Sequence, residues 1–372
     1  MPKHFFYVTV VAILCNQAAA GPKGGNVEVM AKLCDALRLG DAPIAFEPQE
    51  ETGFEGEPTV LKLNMSLAPK DWRDRFVKRS GTTKVEPIET APAGTPDDWR
   101  SMWPRWAAIE AGLRQPDAEM TLLKAYNIET TGPEQKELIR HHIAAYADAA
   151  LAAMKISETK PTDADDNALT AAINTAIYGA GKDGSKELDR QSLTGQTGQA
   201  YGVSCGETSA VEQSKTLAHA VACVCGTAQA KNNEEPCITD GTGNVQWQAS
   251  NMPQAAQWNK IRAACPKIKP TAITAERIRT AVGAASSAII TDGTHAYIDH
   301  MDTDCDGHSN TACPRLTNAE KNDGEPLTKV LWLQHLAAVA TKLEQRQKYN
   351  MALAKQKSEI QTIDWQVKAL TK

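Results

Sequence analysis

The carboxy-terminal stretch of the chain carries an apolar repeat that constrains the fold more than any other feature of the sequence. Apolar residues recur near heptad spacing, separated by Lys, Gln, Glu and Arg, at Leu336, Val339, Leu343, Leu353, Ile360, Ile363, Val367 and Leu370. A helix from about Leu327 to Leu370 would measure roughly 65 Å at about 1.5 Å per residue. Such a rod cannot bury its apolar stripe alone, so we predict an antiparallel partner such as Glu134 to Ile156, or a second subunit.

Two polar residues, Arg346 and Asn350, interrupt this stripe, and we expect them to set the register of the packing. The alternative is a helix inside an ordinary globular core. Globular helices rarely exceed about 25 residues without caps, which favours the longer rod.

The amino terminus has the composition of a secretory signal. Lys3 and His4 give it a positive start, Phe5 to Cys15 is apolar, and Ala18 to Ala20 supplies small residues for cleavage. We therefore predict a signal peptide over residues 1–20 and a mature domain over 21–372. The apolar run is shorter than the roughly 20 residues that span a bilayer.

Export makes disulfides the expected state of the eight cysteines beyond the signal. They are Cys34, Cys205, Cys223, Cys225, Cys237, Cys265, Cys305 and Cys313. Eight thiols allow 105 pairings, so the sequence leaves the connectivity open. On a helix Cys223 and Cys225 would lie about 200° apart and bridge to different partners, whereas Cys305 and Cys313 would close a local loop. The alternative, a zinc site, lacks paired CxxC ligands.

The composition favours packed helices and argues against nucleic acid as a partner. Aromatic residues make up only 5% of the chain, and the net charge is −5. A chain without a basic excess does not have the electrostatics of a nucleic-acid-binding protein.

Helical periodicity recurs along the chain in separate segments. They are Asn26 to Leu39, a helix that starts at Asp97, Glu134 to Ile156, Ala168 to Tyr178, and Ser209 to Gly226. Between the first two, Asp41 to Pro96 is rich in Pro, Gly and Glu, so we predict long surface connections with little regular structure.

Three tryptophans, Trp99, Trp103 and Trp106, lie at helical spacings of four and three residues. This spacing requires no more than the packed edge of a core, which we favour. A ligand-binding aromatic box is the alternative.

Two short segments match catalytic or cofactor motifs in form only. Gly179 to Gly184 fits G-x-G-x-x-G but has no apolar strand before it or helix after it, as a dinucleotide loop requires. Gly202 to Gly206 fits the G-x-S-x-G nucleophile elbow. The residues before it are too polar for a buried strand and Cys205 is expected in a disulfide, so we predict neither hydrolase chemistry nor a bound cofactor at these two segments.

One stretch carries a family resemblance. Ala200 to Gly206 (AYGVSCG) and Lys215 to Gly226 (KTLAHAVACVCG) resemble the trypanosome variant surface glycoproteins, with an amino-terminal domain of the class B type. Leu33 and Cys34 on the first helix, the alanine-rich middle and the long closing helix fit the same family.

The resemblance implies a mainly α fold, namely an elongated antiparallel helical coiled-coil bundle with disulfide-tied loop lobes and little β structure. It also implies a non-enzymatic antigen of a densely packed surface coat, which shields the cell and evades host antibodies by antigenic variation. A homo-oligomer, either a dimer or a trimer, is implied as well. The family anchors to the plasma membrane through a GPI lipid at the end of a cysteine-rich carboxy-terminal domain. Since this sequence stops at Lys372 without an anchor signal, we expect it to represent the amino-terminal domain.

Two further segments match known site motifs. Asp302 to Gly307 matches the start of a calcium loop, but Cys313 stands where an EF-hand places Glu, so we favour a solvated, disulfide-closed loop with no metal. His295, His300 and His308 add little to a metal site there. Asn64-Met65-Ser66 is an N-glycosylation sequon, and because the chain is exported we predict a glycan on Asn64.

Two alternative functions remain open from the sequence. A truncated relative of the family could act as a receptor for a host serum protein. A secreted hydrolase would need a reactive serine at Ser204.

Overall fold

The computed structural model describes residues 24–80, 84–184, 200–206, 215–228, 235–237, 247, 255–268, 271–291, 295–298, 305, 307, 312–316 and 330–372. The chain divides into two compact units. Unit 1 consists of Met1–Pro48 and Thr162–Glu344, and unit 2 consists of Gln49–Pro161 and Gln345–Lys372. The predicted signal peptide lies outside the described residues.

Helices dominate the described residues, which confirms the mainly α prediction. In chain order they are α1 (Val27–Arg38), α2 (Thr59–Ser66), α3 (Lys70–Arg73), α4 (Asp97–Leu113), α5 (Ala118–Ala125), α6 (Pro133–Ala153), α7 (Asp166–Tyr178), α8 (Tyr201–Cys205), α9 (Leu217–Cys225), α10 (Ala255–Ala263), α11 (Ala275–Ser286) and α12 (Leu331–Leu370).

The described β structure is small. A hairpin joins β1 (Val77–Ser80) and β2 (Lys84–Pro87), and an antiparallel sheet has the order β3 (Ile289–Thr291), β4 (Ala296–Ile298) and β5 (Arg315–Leu316). The prediction of little β structure is confirmed for the described residues.

The core of unit 1 is built around α9, of which every residue is buried. Helices α1 and α7 pack on α9, and α11 packs on α1. The first turns of α12 add Trp332, Leu336 and Val339 to the same apolar cluster. Burial on all sides favours an apolar helix, and the sequence LAHAVACVC is apolar apart from His219.

The core of unit 2 lies among α2, α4 and α6. Helix α2 packs against α4 and α6, and the apolar cluster of this unit takes in Ile363 and Val367 from the end of α12 together with Ile143 and Ala147 from α6. In addition, the Gln356 side chain donates a hydrogen bond to the Met154 carbonyl just beyond α6, at 3.0 Å. The partner segment that the sequence predicted, Glu134 to Ile156, therefore shares its core with the carboxy-terminal part of α12.

The long closing helix is confirmed, since α12 is 40 residues long and about 60 Å in length. Seven of the eight residues of the predicted stripe are buried, and Leu370, at the helix end, is exposed. Arg346 is buried, and the side-chain oxygen of Asn350 accepts a hydrogen bond from the backbone N–H of Glu50 at 2.9 Å. Their role in register stays a prediction.

The prediction for Asp41 to Pro96 is wrong. This segment contains α2, α3 and the β1–β2 hairpin. The physical reason is that α2 is only eight residues long and is stabilised by burial of Val60, Leu61, Leu63 and Met65 rather than by a periodic pattern.

The predicted start of a helix at Ser209 is also wrong, because residues 215 and 216 are not helical. Residues 207–214 lie outside the described part of the chain. Helix α9 begins at Leu217, and the Thr216 hydroxyl caps it by accepting the N–H of His219 at 3.2 Å.

The structure also bears on membrane insertion. Among the helices that the structure describes, none combines the length and the apolar character that crossing a bilayer requires.

Candidate functional site

Four disulfides hold the helices and loops of unit 1 together. Cys34 in α1 pairs with Cys265 just after α10, across 231 residues of sequence. Cys205 at the end of α8 pairs with Cys223, and Cys225 pairs with Cys237. Cys305 and Cys313 close a local loop. The bridge between Cys34 and Cys265 closes by far the longest loop, so it restricts the unfolded chain most and stabilises this unit.

Helix α9 is the anchor of two of these bridges. Cys223 and Cys225 are two residues apart on the helix, so their side chains leave on different sides and reach different partners. One bridge holds α8, and the other holds the segment around Cys237. The buried helix thus fixes α8 and the segment around Cys237 in place.

Asn26 is a structural residue that the sequence analysis missed. It directly precedes α1, is 1% exposed, and its side-chain amide donates to the carbonyls of Val224 and Ala312, at 2.7 Å each. The backbone N–H of Asn26 donates to the Pro236 carbonyl. This residue ties the start of α1 to α9 and to the segments beside Cys237 and Cys313. A polar residue directly before a periodic apolar run was the available signal.

The two formal motif matches have no catalytic or cofactor geometry. Gly202 to Gly206 lies in and just after the short helix α8, not in a strand-to-helix turn, and Ser204 is fully buried beside a disulfide. A substrate could not reach a serine in that position. Gly179 to Gly184 follows helix α7, whereas a dinucleotide loop follows a strand.

The candidate calcium loop falls largely outside the described residues, since Asp302, Asp304, Asp306, His300 and His308 are not among them. Within the described part of the chain, one group of metal-ligand type occurs, formed by Cys205, His219 and Cys223. Its two sulfurs are joined in a disulfide and cannot act as thiolate ligands. The arrangement therefore fits a disulfide core and not a metal centre.

A buried ion-pair network stabilises unit 2. The Glu110 carboxylate is fully buried and accepts hydrogen bonds from Arg73 at 2.7 Å and from Arg114 at 2.5 Å. Arg73 also donates to Glu119 at 2.6 Å and to the Ser66 carbonyl. Burial by itself would lower the pKa of Arg73, but the hydrogen bonds to Glu119 and Glu110 outweigh it and raise the pKa. The network joins α3 to α4 and α5 by charge-assisted hydrogen bonds.

The sequon lies on a folded helix, within the segment for which long surface connections were predicted. Asn64 is half-buried in α2, and the Ser66 hydroxyl donates to the Leu63 carbonyl at 2.8 Å. Asn64 lines a groove of about 430 Å³ that Trp72 and Trp106 also line.

The predicted tryptophan stripe is part of a larger aromatic cluster. Trp103 is buried against Phe76 at a centroid distance of 4.6 Å, which fits the predicted core edge. Trp106 and Trp99 are less buried and both contact Trp72 edge to face, at 5.5 Å and 6.4 Å. The tryptophans thus combine a core role with partly open ring surfaces.

Comparison with known proteins shows which sequences this chain is similar to. A family model described as the trypanosomal VSG domain matches residues 8–362, a range that includes all of the paired cysteines. The variant surface glycoprotein ILTAT 1.23 of Trypanosoma brucei brucei is 21% identical to this chain. The alignment covers 95% of this chain and 69% of that protein.

Proposed function

We propose, since this chain belongs to the trypanosomal VSG domain family, that it is a non-enzymatic antigen of a parasite surface coat, which shields the cell and evades host antibodies by antigenic variation. The family match over residues 8–362 is the observation that carries this proposal. The disulfide-tied core of unit 1 supports it, because a protein exposed to the host needs a stable scaffold under loops that differ between variants.

The proposal is tested on living cells. Antibodies raised against the folded recombinant protein should stain intact, non-permeabilised parasites that express the gene, and complement should lyse those cells only. Cells that express a different coat variant are the matched control. Staining that requires permeabilisation would contradict a coat role. Recovery of one stoichiometric host serum protein from cell-surface complexes would favour the receptor alternative.

We further propose that the chain acts as a homo-oligomer at the plasma membrane. Met351 and Trp365 lie two heptads apart on α12, so they face nearly the same direction, and they are 64% and 70% exposed. Met and aromatic residues are enriched at interfaces between subunits, so we infer that this helix face contacts a second copy of the chain. Attachment to the membrane through a GPI lipid is part of the same proposal and rests on the family.

Occupancy of Asn64 by an N-linked glycan completes the proposal. It is supported by the sequon and by the disulfides, which require passage through an oxidising secretory compartment. Glycans are attached while the chain enters that compartment, so the helical state of α2 in the folded protein does not oppose the modification.

A further inference from the structure

The groove beside Asn64 has the character of a binding site that the surrounding core does not require. It lies in unit 2 among α2, α3, α4 and α6, and its volume of about 430 Å³ is within the range of small-ligand sites. Its floor is apolar, with contributions from Leu61, Met65 and Ile109. Trp72 and Trp106 supply aromatic walls that are only half-buried.

We propose that this groove seats the innermost sugars of an N-linked glycan carried by Asn64. The inference rests on the occupancy of Asn64 proposed above, and adds where the sugar lies and what it contacts. The glycan becomes part of the packing of unit 2 instead of projecting freely into solvent.

The position of Asn64 on α2 is the reason to place its glycan in this groove. Leu61, Asn64 and Met65 lie on one face of α2, and all three line the groove together with Ala68, which follows the helix. A sugar joined to the Asn64 amide would therefore begin at the groove wall. Because it is tethered there, its effective concentration in the groove would far exceed that of any free ligand.

The chemistry of the walls suits a neutral sugar. A pyranose ring has one face of C–H groups, and such a face is attracted to the electron-rich face of a tryptophan ring. Trp72 and Trp106 pack edge to face at 5.5 Å, so each ring holds the other in orientation. The groove therefore presents a preformed aromatic wall and requires no rearrangement to receive a sugar.

The rim of the groove supplies hydrogen-bond donors for hydroxyl and acetamide oxygens. Arg105 and Arg140 line it, and each is held by a carboxylate outside the groove lining, by Glu57 at 3.1 Å and by Glu137 at 2.6 Å. A guanidinium has five N–H donors, so one ion pair leaves others available to a ligand. Arg75, Asp71 and Asp148 line the groove as well, so positive and negative charges nearly balance and the rim favours polar, uncharged groups over free anions.

The first measurement decides occupancy. The chain is secreted from a eukaryotic host, denatured, and treated with a glycan-removing amidase, and its mass is measured before and after treatment. We expect a loss of mass that disappears in Asn64→Gln. An unchanged mass would refute occupancy, and with it the seated glycan.

The second measurement decides seating in the groove, and it compares rates of glycan release from the folded protein. The matched control moves the sequon to an exposed turn after α6 by combining Asn64→Gln with Lys155→Asn, which creates Asn-Ile-Ser at exposed positions 155–157. We expect the contacts with the two tryptophan rings to slow release of the native glycan about tenfold relative to the relocated glycan.

Variants of the wall should then remove this protection. Trp72→Leu is expected to bring the release rate close to that of the relocated glycan, and Arg140→Gln, on the rim, should give part of the same effect without touching the aromatic cluster. Equal release rates at the two positions in the folded proteins would overturn the seating proposal while leaving occupancy intact. An unaltered tenfold difference in both Trp72→Leu and Arg140→Gln would overturn the assignment of this groove.

Discussion

Replacement of Glu110 by Gln tests whether the buried ion-pair network stabilises unit 2. The substitution keeps the size of the side chain and removes its charge. Glu110 is fully buried and accepts one hydrogen bond from Arg73 and one from Arg114, each on a separate carboxylate oxygen. In the variant the Gln oxygen can accept from one arginine only, and its NH₂ group faces the donors of the other.

The expected loss follows from these contacts. Removal of one partner of a buried ion pair typically costs 3–5 kcal/mol, because the other charge remains buried without compensation. Arg73 keeps a second carboxylate partner, Glu119, at 2.6 Å, which places the expected loss in the free energy of unfolding at the lower end, at about 3 kcal/mol.

Glu137→Gln on α6 is the matched control. The Glu137 carboxylate also lies 2.6 Å from an arginine, Arg140, whose hydrogen bond lowers its pKa, but it is exposed, so water replaces the lost contact. Urea unfolding is followed by tryptophan fluorescence, to which Trp72 and Trp103 contribute from unit 2 and Trp247, Trp258 and Trp332 from unit 1. A loss below about 1 kcal/mol for Glu110→Gln, equal to that of the control, would refute the reasoning.

Three further outcomes are expected. Asn26→Ala should lower the free energy of unfolding by about 2–4 kcal/mol in urea titration, since it leaves two buried carbonyls without their donor, and a loss under about 0.5 kcal/mol would contradict the clamp. Burial raises the pKa of Tyr178 to about 12 from 10.0, so stability that is complete below pH 10 should fall as the pH rises towards 12. Tyr178→Phe should remove about 1.4 kcal/mol of this decline at pH 11, and the same pH dependence in variant and wild type would contradict the assignment. Met351→Glu combined with Trp365→Glu should convert the oligomer to monomer in sedimentation velocity. Gln366→Glu, an exposed position whose side chain leaves α12 about 100° from that of Trp365, should leave it intact, and an unchanged oligomer in the double variant would show that this face is not the interface.

Long helices were predictable because their apolar period extends over several turns. The heptad stripe of α12 and the pattern of α6 each predict a helix without knowledge of any contact. The short helix α2 was not predictable in this way, because eight residues carry too little periodicity and its stability comes from packing against α4 and α6. The start of α9 was misplaced because Ser209 and Thr216 are both good capping residues, and only the structure shows which one accepts the helix N–H.

The candidate site was predictable in its chemistry more than in its geometry. Cysteine parity and the signal peptide indicate disulfides, but the pairing of Cys34 with Cys265 depends on the fold that brings α1 beside α10. The ion pair of Arg73 with Glu110 joins residues 37 positions apart, and no local pattern marks it. In the same way, only the fold places the sequon at Asn64 beside Trp72 and Trp106.

The amount of this chain on the living cell tests the coat proposal most directly. Intact parasites that express the gene are treated briefly with trypsin, and the released surface protein is quantified by mass spectrometry against the total. The proposal predicts that peptides of this chain dominate the released fraction, because a coat shields the cell only if one protein covers most of its surface. Peptides that are scarce at the surface, or that appear only after the cells are broken, would contradict it.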